Sequence, residues 1–483
     1  MAKKSVAKNY IYNLSYQILV IIIPLITTPY ISRVLGAENI GIYSYTLSIS
    51  AFFILFGSLG IALYGKREIA YQQKNKEEYS KIFWEILLLR MILMSISLVI
   101  FYFSFVTKEQ YQIYYRILML EILANCVDIS WFFQGLEEFK KTVIRNMIVK
   151  VISIVCIFVF VKDKNDLTKY FLIYVLSILL GNISLWFYLP KFLTKVKLKY
   201  LKIWRHIKPT LYLFIPQIAI EVYTLLDRTM IGAIISDKSE VGFYDQSQKI
   251  IKMLLTVITS LGTVMLPRIA NNYANGKKKK IVKYMKKSFN MVFFLCFPMI
   301  FGIISVSDLF VPKFFGEGYD KVAVLMNFIS PIILAIGLSN VIGTQYLLPT
   351  KRQKEYTVSV TCGAIINFII NISLIWNYGA IGASIGTVIA EFTVTIVQMF
   401  YIRKDFNIWK IIKSSRNYLL ASGIMFVVCL VIKSIVRKPY FSMALQVAIG
   451  GIVYLTILII LEDKFVFEII DRIRKKIKIK GNI

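Results

Sequence analysis

"EVGFYDQSQKIIKMLLTVITSLGTVMLPRIA" spans residues 240–270 and can be laid over an earlier segment, "NIGIYSYTLSISAFFILFGSLGIALYGKREIA", at residues 39–70. Both segments carry a Gly-x-Tyr near the start and a Ser-Leu-Gly later, and both close on Ile-Ala soon after a basic residue. The offset between matched positions stays near 201 residues. A long apolar segment that recurs at a nearly fixed offset indicates an internal repeat.

The apolar runs of the chain are long enough to cross a membrane. Hydrophobic residues make up 57% of the sequence and the mean hydropathy is +0.65, as is typical of proteins that span a membrane several times. A helix needs ~20 residues to cross the hydrocarbon core. The first run lacks a small-residue cleavage site, so we expect no cleaved signal peptide. The runs of this length predict fourteen spans, near residues 10–32, 40–65, 82–105, 112–135, 143–161, 170–189, 210–235, 245–267, 288–310, 322–348, 356–376, 380–401, 417–436 and 440–461.

The repeat and the spans together predict the architecture. Six predicted helices separate the two matched segments, and an even number means that both copies cross the membrane in the same direction. Parallel repeats of this kind occur in two-lobed transporters. We therefore predict an all-α integral membrane protein with two six-helix lobes, residues 1–205 and 206–401. Two further transmembrane helices and a basic cytoplasmic tail follow in residues 402–483.

The positive charge of the chain follows the connections between spans. The net charge is +31, with 58 Lys and Arg against 27 Asp and Glu. Connections that alternate along the chain hold 41 basic residues on one side and 11 on the other. This asymmetry is the positive-inside rule, which places both termini in the cytoplasm. The charge thus indicates membrane topology and contact with anionic lipids, not nucleic acid.

Basic residues also lie inside the predicted spans, where a charged side chain costs at least ~2.5 kcal/mol. They are Arg90, Arg116, Lys150, Arg228, Lys249 and Lys252. On span eight Asp245, Lys249 and Lys252 follow i, i+4, i+7 and form one face of a helix. The earlier copy of the repeat has Ser44, Ser48 and Ala51 at these positions. The shared architecture therefore does not require the charges of span eight.

Polar residues form one stripe on each of several spans, which predicts a hydrated central cavity. The stripes are Gln217, Glu221, Thr224 and Arg228 with Asp227 alongside; Glu121, Asn125 and Asp128; and Asn13, Gln17, Pro24 and Thr28. Arg116, near the end of its span, can simply reach the interface, and Arg90 and Lys150 fit either role. Asp245 and Lys249 also have the spacing of an ion pair that only stabilises their helix. For Arg228, Lys249 and Lys252 a cavity role is the better interpretation.

Residues for catalysis are scarce in the sequence. The only histidine, His206, lies in a basic connection and is expected to be solvated. The five cysteines are scattered through apolar spans without metal-ligand spacing. "GIALYGKR" (60–67) resembles a phosphate-binding loop, but Arg67 replaces the Ser or Thr that would hold Mg²⁺. The sequence therefore favours a transporter over an enzyme, with no metal site and no cofactor.

Several motifs resemble those of the Wzx-type polysaccharide repeat-unit flippases, which belong to the multidrug/oligosaccharidyl-lipid/polysaccharide exporter superfamily. The resemblance covers most of the chain. The motifs are "YISRVLGAENIGIYS" (30–44), "DISWFFQGLEEFKKT" (128–142), "LDRTMIG" (226–232), "VGFYDQSQKI" (241–250), "LPRIA" (266–270) and "GAIGASIGTVIAE" (379–391). The resemblance implies a V-shaped, MATE-like fold with a cavity between the lobes.

The resemblance also implies a substrate, an oligosaccharide linked to undecaprenyl pyrophosphate. Such a flippase moves its substrate from the cytoplasmic to the outer leaflet of the bacterial cell membrane by alternating access, for capsule or exopolysaccharide biosynthesis. The implied partners are this lipid, a polysaccharide polymerase and a chain-length regulator. The energy source would be the membrane potential, worth about 2.3 kcal/mol per charge per 100 mV, or coupled H⁺ or Na⁺.

The intramembrane charges fit that substrate, since fixed cations can replace the hydration shell of a pyrophosphate. We expect Arg228, Lys249 and Lys252 to bind the anionic head group, and Arg90 and Lys150 to act nearer the entrance. Acidic residues are expected to form gating pairs or to carry a coupling proton. They are Asp128, Glu221, Asp227, Asp245 and Glu391.

Three other functions stay open at this stage. A cation-coupled multidrug exporter would share the fold, but its cavity should be dominated by acids and aromatic residues. A flippase for lipid II or for a teichoic-acid precursor is a close relative. A polymerase or glycosyltransferase would need a large extracytoplasmic loop or a soluble catalytic domain, whereas the predicted external loops are short.

In "WFFQG", Trp131 and the neighbouring phenylalanines are expected to anchor span four at the membrane interface, where aromatic residues are enriched. A gating role for Gln134 and Glu137 is a weaker alternative.

Overall fold

The computed structural model describes residues 6–107, 110–468 and 470–471. Within these ranges every regular element is a helix. The side chains of Asn13, Gln17 and Gln217, which belong to the predicted polar stripes, lie outside the described residues. The α-helices are α1 (Val6–Ser58), α2 (Ile61–Tyr71), α3 (Lys76–Phe101), α4 (Gln112–Cys126), α5 (Ser130–Gly135), α6 (Phe139–Phe160), α7 (Leu167–Trp186), α8 (Ile207–Ile234), α9 (Ser239–Ala274), α10 (Lys278–Phe314), α11 (Asp320–Ile329), α12 (Ile332–Ser339), α13 (Gln353–Tyr378), α14 (Ala380–Ile402), α15 (Ile408–Ser414), α16 (Arg416–Ile435) and α17 (Pro439–Ile460).

Many of these helices can cross a membrane. Eleven helices in the described part of the chain are long and apolar enough, and a pair bent by 40°, Asp320–Ile329 with Ile332–Leu347, raises the number to twelve. The chain is therefore a multi-pass, all-α membrane protein, while the predicted count of fourteen spans is not confirmed. Part of the difference lies in α1, which covers the first predicted span and residues 40–58 of the second, with a non-helical backbone at Gly36 (φ 79°).

The helices pack into two compact units, residues Met1–Gly242 and Phe243–Ile483. In the first unit α1 packs against α3, α4, α6 and α8, and α4 packs against α7. In the second, α13 pairs with α14 and α16 with α17, while α10 contacts α11, α12 and both C-terminal helices. The predicted boundary after residue 205 would separate α8 from the helices with which it packs. The three-part division of the chain stays a prediction.

The WFFQG motif lies in the core of the first unit and not at its surface. Trp131, Phe132 and Phe133 are all buried in an apolar cluster with α2 and α3. The Trp131 indole stacks on Phe83, with ring centroids 5.7 Å apart, and it fills the space above Gly65, where a Cβ would come within 2.5 Å of it. The expectation of an interfacial anchor is therefore wrong, because these rings pack against protein.

One tight turn occurs in both units with the same backbone geometry. Glu137 (φ 58°) and Lys351 (φ 65°) are left-handed. The next residue in each turn, Glu138 or Arg352, donates its amide to a carbonyl five residues back, at 2.8 and 2.9 Å. An i, i+3 ion pair follows each turn, but with opposite signs: Glu138 pairs with Lys141, and Arg352 pairs with Glu355. The two turns thus share a backbone geometry, but the charges of the ion pairs that follow them are in the opposite order.

Candidate functional site

The charged face of α9 contains one ion pair and one exposed lysine. Lys249 Nζ lies 2.8 Å from Asp245 Oδ2, which confirms the i, i+4 pair that the spacing predicts. The Asp245 side chain is buried, whereas 36% of the Lys249 side chain is exposed. Lys252 lies about one turn further along the helix and is exposed. The two ammonium groups therefore lie on the accessible side of α9.

A neighbouring face of α9 is fixed by buried polar contacts within the second unit. Tyr244 is fully buried, and its hydroxyl lies 2.9 Å from the Thr387 hydroxyl of α14. Gln248 Nε2 donates to the same Tyr244 hydroxyl at 2.9 Å. Glu391, one turn beyond Thr387 on α14, is also buried. These contacts hold the register of α9, so its lysines have fixed positions.

Three predicted site residues lie on α8, which belongs to the first unit. Asp227 is buried, Arg228 is half-buried and Glu221 is exposed. Thr229 fixes this part of α8 to α1, because its hydroxyl lies 2.8 Å from that of Ser48. Ser48 corresponds to Lys249 in the repeat. In the first copy of the repeat this position contributes to helix packing, whereas in the second copy it carries a charge.

Arg90 and Asp128 are brought together at the end of α4. Arg90 is 2% exposed. Its Nε donates to the Asn125 carbonyl at 2.7 Å, and its Nη2 lies 3.6 Å from Asp128 Oδ2. Asp128 Oδ1 accepts the Ser130 amide at 2.9 Å at the start of α5. Arg90 Nη1 is buried without a hydrogen-bond partner in the described part of the chain. A substrate could reach it only by displacing packed side chains, so the contacts favour a structural role for this pair.

Replacing Arg90 with Gln should therefore lower stability more than it lowers transport per folded molecule. The variant loses charge-assisted contacts to Asn125 and Asp128, worth about 1.5–3 kcal/mol. Thermal unfolding of purified protein measures the loss. Lys81→Gln is the control, because Lys81 of α3 is half-buried and forms no ion pair with the described residues. An R90Q variant that melts like wild type but does not transport would instead show that Arg90 binds the substrate.

Sequence reasoning missed a buried cluster formed by Tyr64, Glu85, Arg205 and His206, here called the Glu85 cluster. Glu85 of α3 is 0% exposed and accepts hydrogen bonds from the Lys202 amide at 2.7 Å and from Arg205 Nε at 2.9 Å. His206 Nε2 lies 2.8 Å from Glu85 Oε2, and Nδ1 lies 2.7 Å from the Tyr64 hydroxyl of α2. The cluster ties α2 and α3 to the start of α8.

His206 is 3% exposed, so the expectation of a solvated histidine is wrong. Burial lowers the pKa of His206, and the neighbouring Glu85 carboxylate opposes this effect without reversing it. A neutral ring satisfies both contacts, since Nε2–H donates to Glu85 and Nδ1 accepts from Tyr64. The signal that could have located this site is the pairing of a lone histidine with an intramembrane glutamate. Their separation of 121 residues hides that pairing in the sequence.

The lowered pKa of His206 predicts a loss of stability in mild acid. As pH falls from about 7.5 to about 5.5 the unfolded chain binds a proton at this histidine before the folded chain does, which favours unfolding. Thermal unfolding temperatures should therefore fall over this range in wild type. The fall should be smaller in His206→Gln, which has no group that titrates there. Equal slopes in the two proteins would contradict the prediction.

The second unit contains an apolar cavity of about 540 Å³ along α10. Its lining includes Leu295, Met299 and Phe310 of α10, Met425 of α16 and Val447 of α17. Two glycines widen it: a Cβ on Gly302 or Gly451 would meet no atom within 4 Å. An apolar cavity in a membrane protein suits a hydrocarbon chain.

Comparisons with known proteins agree with this fold. Residues 6–273 match the family described as "Polysaccharide biosynthesis protein", and residues 213–373 match the family MatE. A candidate O-antigen transporter of Escherichia coli (strain K12) is 25% identical over 413 residues, which cover 83% of this chain and 98% of that protein. The lipid II flippase MurJ of Bacillus subtilis (strain 168) is 21% identical over 223 residues, 43% of this chain and 41% of that protein.

A solved structure shows the same fold. The lipid II flippase MurJ in an inward closed conformation superimposes with a TM-score of 0.72, at 16% identity, over 94% of this chain and 99% of that one. The first family covers more than half of the chain, and the two relatives described above are named as a transporter and a flippase, not as enzymes. The chain therefore belongs to the polysaccharide biosynthesis protein family and is a membrane transporter.

Proposed function

We propose that this protein is a flippase for oligosaccharide repeat units linked to undecaprenyl pyrophosphate. It moves them by alternating access from the cytoplasmic to the outer leaflet of a bacterial cell membrane, for capsule or exopolysaccharide biosynthesis. The family and the similarity to a candidate O-antigen transporter support the class of substrate. The distribution of 41 against 11 basic residues among alternating connections supports cytoplasmic termini.

The observation that carries the proposal is the pair of accessible lysines on α9, a helix that is long and apolar enough to cross a membrane. A pyrophosphate must leave water to cross, and lysine ammonium groups can replace part of its hydration shell. Asp245 neutralises Lys249 while no anion is bound. The substrate phosphate then competes with Asp245 for Lys249 and adds a contact to the exposed Lys252. Arg228, Lys150 and Arg90, all in the first unit, remain further proposed contacts of the anionic substrate, the last two as weaker ones.

The lipid part of the substrate has a proposed site as well. The polyprenyl chain can run from the membrane into the apolar cavity between α10 and the C-terminal helices. Asp227, Glu221, Glu391 and Asp128 remain proposed gating or proton-carrying residues. Energy coupling to the membrane potential, H⁺ or Na⁺ is a proposal, as are a polymerase and a chain-length regulator as partners.

A double substitution, Lys249→Gln with Lys252→Gln, tests the head-group site. The variant loses two charge-assisted contacts of about 1.5–3 kcal/mol each, so surface polysaccharide should fall on the order of 100-fold at equal protein level. Lys279→Gln with Lys280→Gln is the matched control, because it removes the same charge from exposed positions at the start of α10. Normal polymer from a well-inserted double variant would disprove head-group binding by these lysines.

Filling the apolar cavity should also reduce transport. Gly451→Leu places a side chain in the cavity where its Cβ meets nothing within 4 Å, so the helix should fold normally. We expect about a tenfold lower rate for a long prenyl chain, which has to give up apolar contact area. The control is Gly423→Leu on α16, which has the same open surroundings and does not line the cavity. Equal loss in both variants would mean that added bulk, not the cavity, is responsible.

A flippase for lipid II is the second candidate, favoured by the match to MurJ of Bacillus subtilis. Its substrate also joins a prenyl chain to a sugar through pyrophosphate, so the α9 lysines would serve both. Complementation separates the two functions. Rescue of cells depleted of their lipid II flippase would favour this candidate, and rescue of cells that lack a repeat-unit flippase would favour the first. A drug exporter, suggested by the MatE match, should not require the lysines.

A further inference from the structure

Glu121 of α4 is a buried carboxyl group that the binding of an anionic substrate does not require. Its side chain is 5% exposed and lies in the first unit, between α1 and α7. Oε2 lies 2.7 Å from the Ser50 hydroxyl of α1, and Oε1 accepts a hydrogen bond from the Tyr174 hydroxyl of α7 at 3.0 Å. Two neutral hydroxyl groups are therefore the partners of this carboxyl.

Arg90 and Arg145, two arginines on the neighbouring helices, have partners other than Glu121. Arg90 of α3 contacts the Asn125 carbonyl and Asp128, and Arg145 of α6 donates to Asn182 of α7 at 2.9 Å. No Lys or Arg among the described residues forms an ion pair with Glu121. An ionised carboxylate that is buried without a cation is costly, and such groups tend to bind a proton instead.

The titratable groups that face Glu121 are tyrosines, which are neutral at neutral pH. Tyr174 contacts its carboxyl directly, and the ring of Tyr43 of α1 lies 5.7 Å from the ring of Tyr174. On α4 itself, Arg116 is exposed. In the described part of the chain, therefore, neither the contacts of Glu121 nor the groups named here place a positive charge against its carboxyl.

The hydrogen atoms at this junction also favour a protonated carboxyl. The Ser50 hydroxyl lies 2.7 Å from Glu121 Oε2 and 3.0 Å from the Leu47 carbonyl, but it carries only one hydrogen. If Glu121 is ionised, both acceptors compete for that hydrogen. If Oε2 is protonated, it donates to Ser50, Ser50 donates to Leu47 and Tyr174 donates to Oε1. Each hydrogen then has an acceptor.

We propose that Glu121, Ser50 and Tyr174 form a proton-binding site. The carboxyl is neutral while α1, α4 and α7 are packed together, and it releases its Oε2 proton to water when these helices separate. Closing the helices takes up a proton from water and restores the neutral group. The site thus couples proton exchange to a conformational change within the first unit. It extends the proposed coupling to H⁺ to a carboxyl outside the residues named for that role, and it does not depend on which lipid is carried.

Infrared spectroscopy of purified protein in lipid nanodiscs, without substrate, tests the site. At neutral pH wild type should show the carbonyl stretch of a protonated carboxyl, and Glu121→Gln should lack it. Glu138→Gln is the matched control, because Glu138 pairs with Lys141 at 2.6 Å and is ionised. This control should keep the band. Identical spectra for wild type and E121Q would overturn the proposal.

Ser50→Ala provides a second arm that does not depend on the folding of E121Q. It keeps the carboxyl but removes the acceptor of its hydrogen, so the band should move to higher frequency as the hydrogen bond is lost. An unchanged band would place the protonated carboxyl elsewhere.

Stability against pH gives an independent measurement. A glutamate in the unfolded chain releases its proton near about pH 4.3, whereas the folded protein keeps it, so the unfolding temperature of wild type should fall relative to that of E121Q as pH rises from about 5 to about 7. E121Q can donate from its amide to Ser50 and accept from Tyr174, and it should not show this fall. Equal slopes would overturn the proposal. These measurements contain no substrate, so a negative result would disprove the Glu121 proton site without bearing on the α9 lysine site. A negative result with the α9 lysine variants would likewise not bear on Glu121.

Discussion

Replacing Gly41 with alanine is expected to abolish folded protein. A Cβ at this position would lie 1.6 Å from the Lys238 carbonyl oxygen, and neither backbone can yield without separating α1 from the segment before α9. That segment is held in turn by the Lys238 ammonium, which donates to the Gly232 and Ile235 carbonyls at 2.6 and 2.8 Å. A backbone clash of this kind belongs to the small class of substitutions that cost more than about 4 kcal/mol.

Size-exclusion chromatography of the fluorescently tagged variant measures this outcome. Gly423→Ala is the control, since its Cβ would meet nothing within 4 Å and a Gly to Ala change inside a helix stabilises by about 0.5–1 kcal/mol. A G41A protein that elutes and melts like wild type would refute the close approach. A similar close approach explains the second copy of the Gly-x-Tyr motif, because a Cβ on Gly242 would lie 2.3 Å from the Ala37 carbonyl oxygen.

Removing the Glu85 carboxylate should produce the second large loss of stability. Glu85→Ala leaves the Lys202 amide and the buried His206 Nε2–H without their acceptor, and leaves Arg205 without its buried partner. Breaking a buried charge network from one side costs about 3–5 kcal/mol. Glu85→Gln should not rescue it, because the amide would present hydrogens to groups that already donate.

Glu78 supplies the matched control for this prediction. It also faces Arg205, at 3.8 Å, but its side chain is 37% exposed. Exposed ion pairs contribute about 0–1 kcal/mol, so Glu78→Ala should unfold near the wild-type temperature. If E78A and E85A lost the same stability, the buried network would not be the cause.

The sequence predicted the class of fold because that class depends on local features. Apolar length and the distribution of basic residues suffice to identify a multi-pass helical protein. The sequence did not separate residues that face lipid from residues that face protein, since both are apolar. For this reason Trp131 and its neighbours were assigned to the interface, although they lie in a buried core.

Contacts within the candidate site were predictable only where they are local. The Asp245–Lys249 pair follows from helical spacing and is present. The junction of Glu121 with Ser50 and Tyr174 joins residues 71 and 53 positions apart on separate helices. Arg90 shows where position in a span misleads. A basic residue inside a span suggests a substrate ligand, yet the Arg90 guanidinium contacts the Asn125 carbonyl and Asp128 within the protein.

Translocation of a defined lipid in reconstituted vesicles tests the central claim most directly. A prenyl-linked oligosaccharide with a pyrophosphate linkage and the same lipid with an uncharged linkage are loaded in turn, and the sugar that reaches the far leaflet is measured with time. Wild type should move the pyrophosphate lipid faster, and the K249Q/K252Q variant should lose that preference by on the order of 100-fold. The K279Q/K280Q variant should keep it. Equal rates for both lipids in wild type, or an unchanged preference in K249Q/K252Q, would contradict an anion-binding role for the α9 lysines.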